Sequence, residues 1–247
     1  MAQRPDLEAK DELGPVFVDP NRIAPGAVGW RGGLGGGGLR VFVETNFVLE
    51  MAFEQAQVQA CEAVVRLAES GTIQLVIPAF CFIEPAETLR RRAHAHMQLQ
   101  KQLEEELRNR RHAPGFSDAQ FMAWKTVISS LVKNTQDADA RVKSIRSRLL
   151  QCSDSVPVSS EVLSRAEAFQ GEDFALHFSD AVVLASVVSR LEDAPLSSRG
   201  SFFLNRNKSD FASTPVKSAL KQRHCELKTT FDGGLEAIRD VLDAAAS

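Results

Sequence analysis

The sequence predicts a three-layer α/β/α fold around a central, mainly parallel sheet, with a helical hairpin inserted into it. Three observations carry that prediction. Short β-branched and aromatic runs alternate with stretches of helical periodicity, the rhythm of parallel strands joined by crossover helices. The segment from Ser179 to Val188 is apolar on nearly every side, as a helix packed inside such a domain must be. Between about residues 90 and 150 the strand signal gives way to two long amphipathic patterns. With 44% hydrophobic and 25% charged residues in 247, the chain has ordinary globular usage and can bury one sizeable core.

Residues 1–38 carry scattered prolines and end in Gly32-Gly33-Leu34-Gly35-Gly36-Gly37-Gly38, which reads as a flexible leader. A phosphate-binding glycine loop follows a strand and opens a helix; this run precedes the first strand. Leu39 to Val43 is that strand, and Thr45 or Asn46 can cap the helical stretch from Phe47 to about Glu69, interrupted near Phe53-Glu54. After Ser70-Gly71, Ile73 to Ile77 forms a second strand closed by Pro78, and a helix starts over Phe80 to Glu87. Leu99, Leu103 and Leu107 mark one arm of the hairpin, and Phe121, Trp124, Ile128 and Leu131 the other, with a break at Ala113-Pro114-Gly115. A weak strand at Val156-Pro157-Val158, a helix from Ser160 to about Gln170, and the apolar helix follow. Then come a strand at Phe202-Phe203-Leu204, a weak one near Glu226-Leu227, and a helix from about Gly234 to Ala244. The domain is therefore expected over 39–232, with the insertion at about 90–150 and a C-terminal helix, 233–247, packing on it.

The net charge of −3 argues against a general basic coat for polyanions, so such binding must rest on local patches or on bound cations. Cys61, Cys81, Cys152 and Cys225 lie far apart without a C-x-x-C pair, which points to buried thiols in a reduced, cytoplasmic protein. No window is apolar for long enough to span a membrane. His94 and His96 fall on different helical faces and carry no zinc pattern, and His177 reads as a loop histidine.

The chemical signal is where the acids sit. Ligands of open parallel sheets bind beyond the carboxyl ends of strands and at adjoining helix starts. Glu44 follows the first strand, Glu84 begins the helix after the second, Asp180 begins the apolar helix, and Asp210 lies just past a later strand. Each alone has an ordinary reading as a helix-end or turn residue. Together they repel one another, a conflict that a hard divalent cation resolves.

At these residues the chain resembles a known family. Val41-Phe42-Val43-Glu44-Thr45-Asn46 resembles the opening motif of PIN domains, Ser179-Asp180-Ala181-Val182-Val183-Leu184-Ala185 their Asp-Ala helix start, and Phe203-Leu204-Asn205-Arg206-Asn207-Lys208-Ser209-Asp210-Phe211 their late strand, polar turn and Asp-Phe. The likeness covers about residues 39–90 and 155–230. Three positions depart from the pattern: Glu44 stands where Asp is usual, and Asn205 and Asn207 stand where Asp is frequent. The resemblance implies a PIN-like nuclease in which Glu44, Glu84, Asp180 and Asp210 hold one or two Mg²⁺ or Mn²⁺ ions and hydrolyse phosphodiesters to a 5′-phosphate and a 3′-hydroxyl. Thr45, Asn46, Asn205 and Asn207 would support the site, and Glu87 is the rival for the second position.

Single-stranded RNA is the substrate class the resemblance implies, with DNA not distinguished and membership of a toxin–antitoxin pair left open. The charge-dense hairpin, with Arg90, Arg91, Arg92, Arg141, Lys143, Arg146 and Arg148, reads first as a solvated face with i,i+4 pairs and second as a grip on phosphates. The alternative from a different class is a non-catalytic module that uses the hairpin to bind a protein partner or to form a homodimer.

Overall fold

A computed structural model describes residues 38–110, 117–171, 173–193, 197, 199–206 and 211–246. The leader residues up to 37 and the predicted hairpin break at 113–115 lie outside these. Five strands form one sheet: β1 (Arg40–Val43), β2 (Gln74–Pro78), β3 (Ser153–Val156), β4 (Ser201–Leu204) and β5 (Cys225–Lys228). The order is β3-β2-β1-β4-β5, and every pairing is parallel. β1 is central and buried along its whole length, which is why its sequence, Arg-Val-Phe-Val, does not alternate.

Helices cover both faces. α1 (Thr45–Ala52) and α2 (Val58–Glu69) pack together, and α2 packs on the last helix, α8 (Phe231–Ala246); α5 (Ser160–Phe169) packs on α6 (Phe178–Asp193), which lies along β2 and β3. The core runs between these layers around Phe42, Phe47, Phe203, Phe211 and Phe231. Phe47–Phe231 and Phe203–Phe211 are edge-to-face pairs, each with 5.4 Å between ring centres, the geometry that the aromatic quadrupole favours.

α3 (Phe80–Arg110) and α4 (Asp118–Cys152) form an antiparallel pair, joined by His96 Nδ1 and Thr135 Oγ1 at 2.7 Å and by the buried Leu107 and Ile128. At about 1.5 Å per residue the arms reach roughly 45 Å, farther than the sheet they stand on. Their base is fixed to α1 through Ala52, Leu89, Ala138 and Val142, and through Arg141 Nε donating to the Ala52 carbonyl at 2.6 Å. α4 begins with a capping box in which Ser117 and Gln120 satisfy each other's backbone N–H groups.

Three elements differ from the expectation. The weak strand expected at 156–158 is β3 at Ser153–Val156, because Pro157 has no N–H to extend the ladder. Its Ser-Asp-Ser sequence hides it, since an edge strand needs little apolar character. The helix α7 (Thr214–Lys221) was not foreseen: it is eight residues long with only Val216 and Leu220 buried. The last helix, α8, starts at Phe231 rather than Gly234, because Gln57 Oε1 accepts from the N–H groups of Phe231 (2.7 Å) and Asp232 (3.1 Å), donors that a helix start otherwise leaves unpaired. Gly234 then lies inside the helix, where a Cβ would come 2.5 Å from the Leu204 side chain. The glycine permits the close approach of α8 to β4.

Candidate active site

The strand order reverses direction on either side of β1, so the crevice beyond the ends of β1 and β4 is where such a sheet receives ligands. Glu44 occupies that crevice. It is the first residue after β1 and the N-cap of α1, and its extended backbone (φ -114°, ψ -177°) turns the carboxylate back over the helix start. Glu44 Oε2 accepts from the Asn46 N–H at 2.7 Å and Oε1 from the Arg206 N–H at 3.4 Å, so the chain leaving β4 closes over it. The residue is only 4% exposed. Burial pushes its pKa up to about 8; the N–H donors of Asn46 and Arg206 pull the other way, and the charge of Glu84 adds to the rise.

Glu84, in the second turn of α3, is tied to the same place, because the Thr45 hydroxyl donates to Glu84 Oε2. Cys81, one turn earlier and fully buried, faces both carboxylates, and burial followed by the Glu44 charge pushes its thiol up. Glu87 takes the other direction: it is exposed and paired with Arg90 at 2.8 Å.

Asp180 stands in the first turn of α6. Near the other end of that helix Arg190 reaches Asp154, the second residue of β3, at 3.3 Å, so the C-terminal part of α6 lies by the strand starts. Ten residues of helix separate Asp180 from Arg190 by about 15 Å. That is roughly the length of these strands, which sets Asp180 at the edge where the strands end, the same edge as Glu44. Asn205 follows β4, is fully buried and donates its N–H to the Lys228 carbonyl at 2.8 Å. Asn207 and Asp210 lie outside the described residues. Phe211, the next residue, is buried against Phe203 of β4.

Two further residues belong to this architecture and were not foreseen. Glu50 of α1, 1% exposed, accepts from the Gln57 N–H at 2.6 Å and is ion-paired with Arg206, whose Nη1 also donates to Gln55 Oε1 at 2.9 Å. Arg206 thus holds the turn after β4 by its guanidinium while its N–H reaches Glu44. The signal in the sequence was an acid set among apolar neighbours, Val48-Leu49-Glu50-Met51.

Whether this donor set suits a hard divalent cation is decided by charge. Among the described residues neither Glu44 nor Glu84 is paired with a lysine or arginine, and both offer carboxylate oxygen, the ligand such ions take. The pair fits. Among the described residues no group of three or more His, Cys, Asp or Glu side chains is gathered closely enough to hold one ion.

A family model described as a PIN domain matches residues 41–211, well over half of the chain. The chain belongs to the PIN-domain family. The matched range runs from β1, across the hairpin, to Phe211, and so spans the positions of Glu44, Glu84, Asp180 and Asp210. No curated protein and no solved structure matches the chain. PIN domains are a nuclease fold that acts on nucleic acid and typically uses divalent metal ions. Among the described residues no helix is long and apolar enough to cross a membrane.

The hairpin cations sit as follows. Arg90 pairs with Glu87, Lys143 with Asp139 at 2.6 Å, Arg141 with Glu54 at 3.4 Å, and Arg148 with both Glu62 (2.7 Å) and Glu69 (2.6 Å). Arg91 Nη2 donates to Thr88, Arg92 lies 4.0 Å over the Phe53 ring, and Arg146 is half-buried near the hairpin base.

Proposed function

We propose that this PIN domain is a metal-dependent endoribonuclease that hydrolyses phosphodiester bonds in single-stranded RNA, with Glu44, Glu84, Asp180 and Asp210 as ligands of one or two Mg²⁺ or Mn²⁺ ions. The observation that carries the reading is Glu44: a carboxylate buried at the head of β1, with Glu84 beside it and no cationic side chain paired to either among the described residues. Such a pair is costly for stability alone and gains a purpose when a cation joins it. Asp180 reaches the same edge by the helix geometry above, and Asp210 is the residue before the anchored Phe211.

Bound there, a divalent ion supplies a water of lowered pKa and neutralises charge on the leaving oxygen. The chain's own residues do the rest. The N–H groups of Asn46 and Arg206 hold both oxygens of Glu44, and the Thr45 hydroxyl fixes Glu84, which ranks Glu84 above the solvent-directed Glu87. Asn46, Asn205 and Asn207 are placed in sequence to orient a phosphate. Because Arg90, Arg141, Lys143 and Arg148 are committed to carboxylates, Arg91, Arg92 and Arg146 are, of the seven hairpin cations read as a phosphate grip, those left to meet RNA. Four cysteines with no disulfide among them suit a reducing, cytoplasmic setting.

The test is incubation of purified protein with labelled single-stranded RNA and Mn²⁺ or Mg²⁺, beside Asp180→Asn and a chelator control. Metal-dependent cleavage that Asp180→Asn abolishes is expected; cleavage that survives the substitution or the chelator overturns the mechanism. A second reading, a hairpin that docks a protein or a second copy, is favoured by Met97, Met122, Trp124 and Val127, all about half exposed on the arms. Sedimentation of the protein against a Trp124→Glu, Val127→Glu variant tests it: a dimer lost in the variant supports it, and a monomer in both removes self-association.

A further inference from the structure

A cavity of about 840 Å³ opens at the other end of the sheet, beside the edge strand β5. Its basic lining comes from Arg199 ahead of β4, Lys217 and Lys221 of α7, and His224 at the turn into β5, over an apolar floor that includes Phe202 and Leu227. Lys217 and Lys221 are four apart and so share one helix face, where like charges repel. Among the described residues Arg199, Lys217 and Lys221 have no carboxylate partner, and Glu226, the acid of the lining, is bonded to Lys228 at 2.6 Å. Positive charge is therefore left uncompensated here in a chain of net charge −3, whereas Arg90, Arg110, Arg141, Lys143 and Arg148 of the hairpin are each paired with a carboxylate.

The groove is connected to the carboxylate edge. α7 begins three residues after Phe211, which packs on Phe203 toward the end of β4, and it ends at the turn that leads into the start of β5. Lys217 and Lys221 thus lead away from the crevice toward the strand starts. That path is about 13 Å, the length of a four-residue strand, and a few nucleotides of flexible chain cover it.

We propose that this groove is a second contact for single-stranded nucleic acid, in which Arg199, Lys217 and Lys221 hold phosphates of the strand a few nucleotides beyond the scissile bond. The proposal rests on the nuclease reading for its substrate and on the groove's own charge for its place. Single strands bind by tracking their backbone along positive grooves, with affinity that falls with salt in proportion to the phosphates neutralised.

The experiment measures binding rather than cleavage. Full-length Asp180→Asn protein is titrated, by fluorescence anisotropy over a salt series, with labelled oligouridylates of about 5 and about 20 nucleotides. Lys217→Glu with Lys221→Glu is expected to weaken the long oligomer by roughly tenfold or more and the short one by less than about twofold, and to flatten the salt slope by about 1.4 for two lost phosphate contacts. Arg199→Ala is expected to act in the same direction and less. Both lysines are exposed, so thermal melting of the double variant should match the parent. Unchanged affinity and slope for the long oligomer overturn the proposal, as does equal weakening of both lengths or a parent that binds neither. If the length-dependent loss is found while cleavage proves independent of metal and of Asp180, the groove stands and the catalytic assignment falls.

Discussion

The two ends of strands β1, β2 and β3 treat acidic charge in opposite ways. At the strand starts, Asp154 receives Gln74 Nε2 at 2.5 Å and Arg190 at 3.3 Å, with Arg40 in the same group. At the strand ends, about 15 Å away, Glu44 is more deeply buried, receives the N–H groups of Asn46 and Arg206 and the Asn46 side chain, and has Glu84 as its charged neighbour. A chain selected for stability alone compensates a buried charge, as it does for Glu50 with Arg206, and it does so even for the partly exposed Asp154. That Glu44 has no cationic side chain paired to it among the described residues is intelligible where the cation comes from solution.

The largest effect expected from this contrast is on cleavage. Asp180→Asn and Glu44→Gln should each lower RNA hydrolysis by on the order of 10²-fold or more, while Asp154→Asn leaves the rate within about twofold. Initial rates on one labelled RNA at saturating Mn²⁺ compare the three; equal losses at both edges would erase the distinction between them. Thr45→Val comes next. It removes the hydroxyl that fixes Glu84, and a group supporting a ligand costs about 10- to 100-fold in metal affinity or activity. The expected signature is a rightward shift of the Mn²⁺ activation curve, partly overcome at high metal; a lower plateau with an unshifted midpoint would assign Thr45 another role.

Stability against pH sharpens the comparison without any substrate. Glu44 has a pKa near 8 in the folded chain and 4.5 as its ordinary value. Between those values the folded state holds a proton that the unfolded state has lost, so the metal-free protein loses stability as pH rises from about 4.5 to 8, by at most about 1.4 kcal/mol per unit. Glu44→Gln cannot ionise and escapes that loss. In chelator its melting temperature should exceed the wild type's by several degrees at about pH 8.5, and by little at about pH 5. A constant difference across that range would mean that Glu44 does not titrate there.

How much of this was legible beforehand follows from which forces are local. β1, β2, β4 and α6 announced themselves because apolar runs bury on both faces, and the motif at the end of β1 made the crevice and the place of Glu44 in it readable. What escaped reading was set by contacts distant in sequence. β3 is a strand because Leu75 to Pro78 pair with it, although Ser-Asp-Ser has no strand preference. α8 starts early because Gln57, 174 residues away from Phe231, caps it. Arg206 stood in the sequence only as part of the polar turn of the third motif, and its pairing with the buried Glu50 gives it a place in the site. The hairpin arginines were ambiguous for the same reason: the acidic partners Glu54, Glu62 and Glu69 of Arg141 and Arg148 sit on or beside another helix, not four residues along.

The smallest expected effect tests the compensated edge itself. The side chains of Asp154 and Arg190 are partly exposed, 24% and 33%. Ion pairs of that kind contribute about 1 kcal/mol or less. Asp154→Asn keeps an oxygen that can still accept from Gln74, so it removes only the charge attraction to Arg190. The melting temperature should then fall by roughly 2–4 °C or less, the fall should shrink in about 0.5 M salt, and it should not depend on Mn²⁺. A double-mutant cycle with Arg190→Gln isolates the pair; a coupling near zero would assign Asp154's contribution to Gln74. The insensitivity to metal is the informative part, because Glu44→Gln should respond to Mn²⁺ strongly. If Asp154→Asn responds as strongly, the two edges differ in burial alone and the argument from uncompensated charge fails.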